Sequence, residues 1–248
     1  MKKSITVITT IFLVLSLFQL AAAECTGFYI MRKKEHKRPE LDAGLKYITE
    51  YNACCLGPDE KVIYLTFDAG YENGNVERIV DTLDKHNAKG TFFVLENIIR
   101  RNTDLIIKMA EHGHTVANHS MRHKNMANMT LSECEAELYG LEKLYNELTG
   151  YTMAKLFRPP EGNFSRTLLD NVSKLGYKTV FWSFAYADWD NNKQPSPEYA
   201  VKLILDNTHN GEIILLHPTS KTNADILDRL LTEWENTGFR FGSLTELL

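Results

Sequence analysis

From residue 61 to residue 241, short apolar segments alternate with longer segments of helical period, and this alternation restricts the fold more than any other property of the chain. Residues 61–67, Lys-Val-Ile-Tyr-Leu-Thr-Phe, are β-branched and apolar and read as a buried strand. Residues 75–87 then place Val76, Ile79, Val80 and Leu83 on one helical face. The same reading gives strands at 91–95, 114–118, 155–157, 178–182, 212–216 and 239–241. Helices are expected at 104–112, 131–148, 165–175, 197–207 and 224–235, the second opened by Thr130 with Glu133 three residues on, a capping-box pattern. About seven strand–helix units follow one another with no Pro/Gly/Ser-rich linker and no sequence repeat. Such alternation implies an α/β fold with a mainly parallel sheet, as a barrel or a doubly wound open sheet. Neither GxGxxG nor GxxxxGK[ST] follows a strand, so we expect no nucleotide cofactor and take the barrel. In either architecture, function gathers at the carboxyl ends of the strands.

Residues 1–23 stand apart. Lys2 and Lys3 precede an almost wholly apolar run from 5 to 20, and Ala21, Ala22 and Ala23 close it, the pattern of a secretory signal peptide. An uncleaved membrane anchor is the competing reading. Residues 24–60 form a charged extension and lead-in, with a run of charge at 32–38 that reads as a solvated, mobile linker. Without residues 1–23 the chain has 26 basic side chains against 32 acidic ones, a formal charge of −6. That balance argues against nucleic acid and anionic membranes as partners, and we expect a monomer. The four cysteines (Cys25, Cys54, Cys55, Cys134) have no zinc spacing, and the adjacent pair would bridge only with strain. Free or buried thiols are expected, with one bridge through Cys25 or Cys134 open.

Residues that can do chemistry recur where strands end. Asp68 follows the first strand, with Gly70 allowing a sharp turn beside it; a rigid, partly desolvated carboxylate there can act as a base, or simply start the turn. His119 and His123, four apart after the third strand, can present two imidazoles to one metal ion, although most such pairs are surface histidines. Arg158, in Arg-Pro-Pro-Glu-Gly after the fourth, could hold a facing carboxylate ionised, or brace a tight turn. Asp188 and Trp189 come after the fifth. His217 closes the apolar sixth, where a lone histidine is more often a satisfied core residue than a catalyst.

Taken together, TFDAG at 66–70, HSMRH at 119–123, RPPEG at 158–162, the Asp-Trp pair at 188–189 and LLHP at 215–218 resemble the polysaccharide deacetylase family, the NodB-like deacetylases of carbohydrate esterase family 4. The resemblance runs from about residue 61 to the end of the chain, the expected catalytic domain at 61–248. It implies a distorted (β/α) barrel and metal-assisted hydrolysis of an N-acetyl group. It also implies roles: Asp68 as general base, Arg158 as the residue orienting it, His217 as general acid, and His119 and His123 as metal ligands. The backbone N–H of Glu161 takes the oxyanion position, and Leu215 and Trp189 line the slot for the acetyl methyl group. TFDAGYENG, GHTVANHS and TVFWS further resemble the subgroup of delta-lactam-biosynthetic de-N-acetylases, which act on muramic acid in spore-cortex peptidoglycan.

Two positions depart from the family pattern. Ala69 stands where a second Asp, which the subgroup also lacks, usually completes the metal site, so a divalent ion, zinc or similar, is expected to bind weakly. Ala185 stands where an Asp often supports the acid histidine, and Asp188 is the nearest substitute. The expected function is an exported N-acetylmuramic acid deacetylase acting on peptidoglycan glycan strands in the cell wall or spore cortex space. The alternatives are an N-acetylglucosamine deacetylase of peptidoglycan or chitin-like glycans, and a non-catalytic glycan-binding domain.

Overall fold

The computed structural model describes residues 25–33 and 35–248; the apolar segment at 1–23 lies outside the described residues. Two residues near the start, β1 (Thr26–Gly27), pair outside the main sheet, and a 3-10 helix at Ala43–Tyr51 leads to β2 (Ala53–Cys54). The chain then alternates through β3 (Val62–Ala69), α1 (Val76–Lys85), β4 (Gly90–Val94), α2 (Glu96–Arg101), α3 (Thr103–Glu111), β5 (Thr115–Asn118) and α4 (Leu131–Thr149). It continues with β6 (Leu156–Phe157), β7 (Asn163–Phe164), α5 (Arg166–Lys174), β8 (Lys178–Val180) and β9 (Phe184–Ala185). Last come α6 (Pro197–Asn207), β10 (Glu212–Leu216), α7 (Lys221–Asn236) and β11 (Arg240–Phe241).

Nine of these strands form one sheet, in the order β2-β8-β6-β5-β4-β3-β10-β9, with β11 added beside β3. Every pairing in it is parallel, and helices cover its outer face, so the expected distorted (β/α) barrel is what the chain folds into. The seven expected strands are all present; β2 and β9, two residues each, are the additions. Both lie at the ends of the sheet, where a two-residue pairing has no hydrophobic period to betray it.

Side chains alternate across the strands, which sorts the core into layers. Ile63, Leu65 and Phe67 of β3 join the outer apolar layer under α1, α6 and α7 with Leu83, Ile204 and Leu230. Val62 and Tyr64 face inward, with Phe93, Ala117, Leu156, Val180 and Ile213 from the neighbouring strands. The last four helices, α4 to α7, begin where side-chain oxygens take up free backbone N–H groups. Thr130 and Glu133 form the expected capping box on α4, which ends at Gly150 with φ 77°. Ser165, Ser196 and Ser220 cap α5, α6 and α7.

The stretch expected as a mobile, solvated linker is instead seated on the barrel. Arg38 donates to the carbonyls of Gly57, Pro58 and Asn210, and Arg32 to that of Ala185. Phe28, Leu45 and Ile48 are buried in a second apolar cluster with Phe164, Leu168 and Phe181. Burying one such side chain is worth about 2 kcal/mol, so three apolar anchors and the arginine bonds together hold this stretch to the barrel. All four cysteines are free, and burial pushes the thiols of Cys54, Cys55 and Cys134 up to about 11, 12 and 11, which keeps those three in the protonated form. No helix among the described residues is long and apolar enough to cross a membrane.

Candidate active site

The parallel register sets the expected residues at one rim. Ala69, Val94, Asn118 and Phe157 stand level across β3, β4, β5 and β6, and Leu216 of β10 is level with Phe67. Counting by twos along each strand from the inward Tyr64, Ala117, Leu156 and Ile213 arrives at Asp68, His119, Arg158 and His217. All four therefore project from the inward face at the carboxyl end.

Arg158 is completely buried and fixed by its own strand neighbours. Its Nε donates to the Val180 carbonyl at 3.1 Å, Nη2 to that of Phe181 at 3.2 Å, and Nη1 to Asp68 Oδ1 at 2.9 Å. The guanidinium also lies 4.2 Å above the Phe93 ring. Burial opposes ionisation of Asp68, but Arg158, with His119 and His217, outweighs it and holds the carboxyl below the usual range. Asp68 is thus an anion with one oxygen, Oδ1, bonded to Arg158 and the other, Oδ2, 3.6 Å from His119 Nε2.

A second ion pair faces the first. Asp188, buried, accepts from His217 Nδ1 at 2.7 Å through Oδ1; its Oδ2 accepts from the His217 backbone N–H at 2.8 Å and from Asn223 Nδ2 at 2.6 Å. Asn223 in turn receives the Tyr186 hydroxyl, and Gln194 donates to the Asp188 carbonyl. Burial lowers the His217 pKa and the Asp188 carboxylate raises it; the carboxylate prevails, so the imidazolium persists to higher pH than an ordinary histidine. Asp188, not residue 185, occupies the place beside His217. Asn223, Gln194 and Tyr186 were not read from the sequence, because their partners are 35 or 37 residues away or contacts of loop backbone that no spacing predicts.

His119 donates Nδ1–H to the Arg158 carbonyl at 2.9 Å, which leaves the Nε2 lone pair free. Burial pushes its pKa down to about 4, so the ring is neutral at ordinary pH. The His123 ring lies 5.0 Å from it, carried on a loop whose Ser120 and His123 both have positive φ, 70° and 56°. Ser120 Oγ accepts the His123 N–H and Asn118 Oδ1 the Ser120 N–H, which together hold that strained turn. Two imidazoles side by side, that of His119 with its Nε2 lone pair free, fit a divalent ion held by two protein ligands. Ala69 adds none: it faces the outer apolar layer, and among the described residues no group of three His, Cys, Asp or Glu side chains is arranged to hold a metal.

A cavity of about 550 Å³ opens in front of these groups, lined by Asp68, His123, Glu161, Trp182, Leu215 and His217 among others. A lobe of about 250 Å³ continues from it past Tyr71 and Thr219. Leu215 is buried at the cavity floor, whereas Trp189 is 61% exposed at its rim, its ring 6.3 Å from that of His217. Glu161 borders the cavity with left-handed backbone (φ 58°, ψ 7°), followed by Gly162 at φ 67°, where any Cβ would lie 2.6 Å from the Trp182 ring.

A buried arginine–carboxylate pair opposite a histidine–carboxylate pair, beside two imidazoles at the mouth of a (β/α) barrel, defines a hydrolase site. The family model for polysaccharide deacetylase matches residues 56–180, and the chain belongs to that family: it is a hydrolase of carbon–nitrogen bonds other than peptide bonds. It is 38% identical over 219 residues to the peptidoglycan-N-acetylmuramic acid deacetylase PdaA of Bacillus subtilis (strain 168), covering 88% of this chain and 83% of that protein. The solved structure of Bacillus subtilis PdaA, a family 4 carbohydrate esterase, superposes with a TM-score of 0.87 at 36% identity over 90% of this chain and 97% of that one. A family 4 carbohydrate esterase from Bacillus anthracis gives a TM-score of 0.72 at 31% identity, over 89% and 98% of the two chains.

Proposed function

We propose that this chain is an exported peptidoglycan deacetylase that removes the acetyl group from N-acetylmuramic acid, on the way to muramic delta-lactam in spore cortex. The observation that carries the chemistry is the pair of opposed ion pairs, Asp68–Arg158 and His217–Asp188, across one cavity. An acid and a base poised in this way serve hydrolysis and are of no use to a domain that only binds glycan. The sugar assignment is supported by the resemblance to PdaA and by the motifs around Asp68, and export by the apolar run at 5–20.

In this reading Asp68, kept ionised by Arg158, takes the proton from the attacking water. Water oxygen bonds to the acetyl carbon, and the backbone N–H of Glu161 faces the oxygen on which charge develops. His217, kept protonated by Asp188, delivers its proton to the amide nitrogen as the C–N bond breaks, releasing acetate and a free amine. Leu215 and Trp189 border the acetyl methyl group. His119 and His123 would hold a divalent ion, which when bound supplies Lewis acidity to carbonyl and water. With two histidines and no third His, Cys, Asp or Glu side chain arranged beside them among the described residues, that ion would be held weakly.

The test is incubation with peptidoglycan glycan strands, with and without stem peptides and with and without added zinc, followed by mass spectrometry of the fragments. Loss of 42 mass units, the difference between acetyl and hydrogen (about 42 by composition), from muramic acid is expected. Loss from glucosamine alone would move the enzyme to the other sugar, and loss from neither would leave a binding domain.

A further inference from the structure

Residues 26–32 lie outside the stretch matched by the family model, yet they are bonded to the turn that carries Glu161. Thr26 pairs antiparallel with Phe164 and Gly27 with Asn163, and the Phe28 N–H donates to the Gly162 carbonyl at 2.9 Å. Three successive residues thus grip the three that follow Glu161. The turn needs such a grip: Glu161 and Gly162 are both left-handed, a conformation that an L residue keeps only when its surroundings impose it.

The Phe28 side chain reaches the same turn by a second route. Its ring stacks on Phe181 at 4.2 Å and 15°, and meets Trp182 edge-on at 5.4 Å and 80°. Trp182 is the ring packed against Gly162. Further along, Arg32 donates Nη2–H to the Ala185 carbonyl at 2.7 Å, with its guanidinium 4.9 Å over Phe184. Ala185 belongs to β9, the last strand of the sheet, whose path ends at β9 on one side and β2 on the other. Residues 26–32 therefore run down the open side of the barrel, from Phe164 to Ala185. Glu161, Gly162, Trp182 and Ala185 all line the 550 Å³ cavity, and residues 26–32 back that wall without lining it.

We propose that residues 26–32 form a strap that closes the open side of the barrel and holds the Glu161 turn in its working geometry, with Phe28 as the positioning residue. This rests on the reading of the Glu161 N–H as the oxyanion donor. A donor displaced by a fraction of an ångström loses much of its effect on the transition state while substrate binding is little changed. The strap is therefore a determinant of kcat rather than of KM.

The experiment uses the full chain with Phe28→Ala, with Arg32→Ala at the exposed end of the strap, and with Leu230→Ala in α7 as a control for destabilisation alone. Hydrogen exchange of residues 161–164 is followed beside kcat and KM, at a temperature where every variant is folded. For Phe28→Ala we expect faster exchange in 161–164 and a fall in kcat of about tenfold or more with KM nearly unchanged. Arg32→Ala should shift both in the same direction by less, and Leu230→Ala should move neither. Unchanged exchange in Phe28→Ala, or an equal kcat loss in Leu230→Ala, would overturn the strap. Faster exchange with unaltered kcat would overturn the assignment of Glu161, and with it the catalytic consequence.

Discussion

Replacing Asp188 with Asn isolates the support of His217. The amide is nearly isosteric, so packing changes little, but its two ends differ. Asp188 Oδ2 accepts two donors, the His217 N–H and Asn223 Nδ2, while Oδ1 accepts one, His217 Nδ1. The amide oxygen is best spent on the two donors, which turns the NH₂ toward Nδ1 and sets donor against donor whenever His217 is protonated. A buried hydrogen bond between charged groups is worth ~1.5–3 kcal/mol. At about 1.4 kcal/mol per pH unit, its loss lowers the His217 pKa by ~1–2 units. In the proposed mechanism His217 is the acid, so its deprotonation would set the alkaline limb of the rate profile, and that limb should move down by the same ~1–2 units. The acid limb, set by Asp68, should stay. Below the alkaline limb kcat should still fall about 100-fold or more, the usual contribution of a positioned acid. Stability follows the same sign. A raised histidine pKa stabilises fully below the unfolded value and loses that contribution as pH rises through the folded one, so Asp188→Asn should cost more at pH about 5 than at pH about 9. Acetate release from defined glycan across pH gives the profile, and NMR titration of His217 gives the pKa directly. An alkaline limb that does not move would refute the assignment of Asp188.

Asp68→Asn should abolish turnover while glycan binding persists, since the lost group is the proposed base; turnover above about 1% of the parent would exclude Asp68 from that role. Zinc should restore activity after chelation, and His123→Ala, at an exposed loop position, should need at least about tenfold more zinc for half-restoration. An equal requirement in the two proteins would remove His123 from the ligand set. Glu212 sits wholly buried at the start of β10, where burial pushes its pKa up to about 8 against the pull of the His209 N–H. The folded state therefore keeps this proton where the unfolded chain has released it, and stability declines as pH rises from about 4.5 to about 8, by ~1.4 kcal/mol per unit at most. Glu212→Gln should flatten that decline in urea unfolding; identical slopes would place the effect elsewhere.

The strand-by-strand alternation made most of the barrel legible, because buried parallel strands and amphipathic helices leave opposite hydrophobic periods. The site was legible for a related reason. Residues two apart on a strand share a face, so Asp68, His119, Arg158 and His217 could be placed at strand ends before any contact was known. What escaped was carried by short or irregular pieces. β2 and β9 are too brief to show a period, and Asn223 reaches Asp188 across 35 residues. The charged run at 32–38 looked like solvent-exposed linker because formal charge says nothing about which carbonyls a guanidinium can satisfy.

By itself, the sequence determined the fold class, the ring of chemically capable residues, and the absence of a carboxylate at position 69, since each is a local matter of residue type, period and position. Only the tertiary structure decided which of them act together. It paired Asp68 with Arg158 and His217 with Asp188, left the Nε2 of His119 free, and laid residues 26–32 against the Glu161 turn. Those are relations between segments distant along the chain, and hydrogen bonds of this kind depend on ångström-scale geometry that residue order does not encode locally.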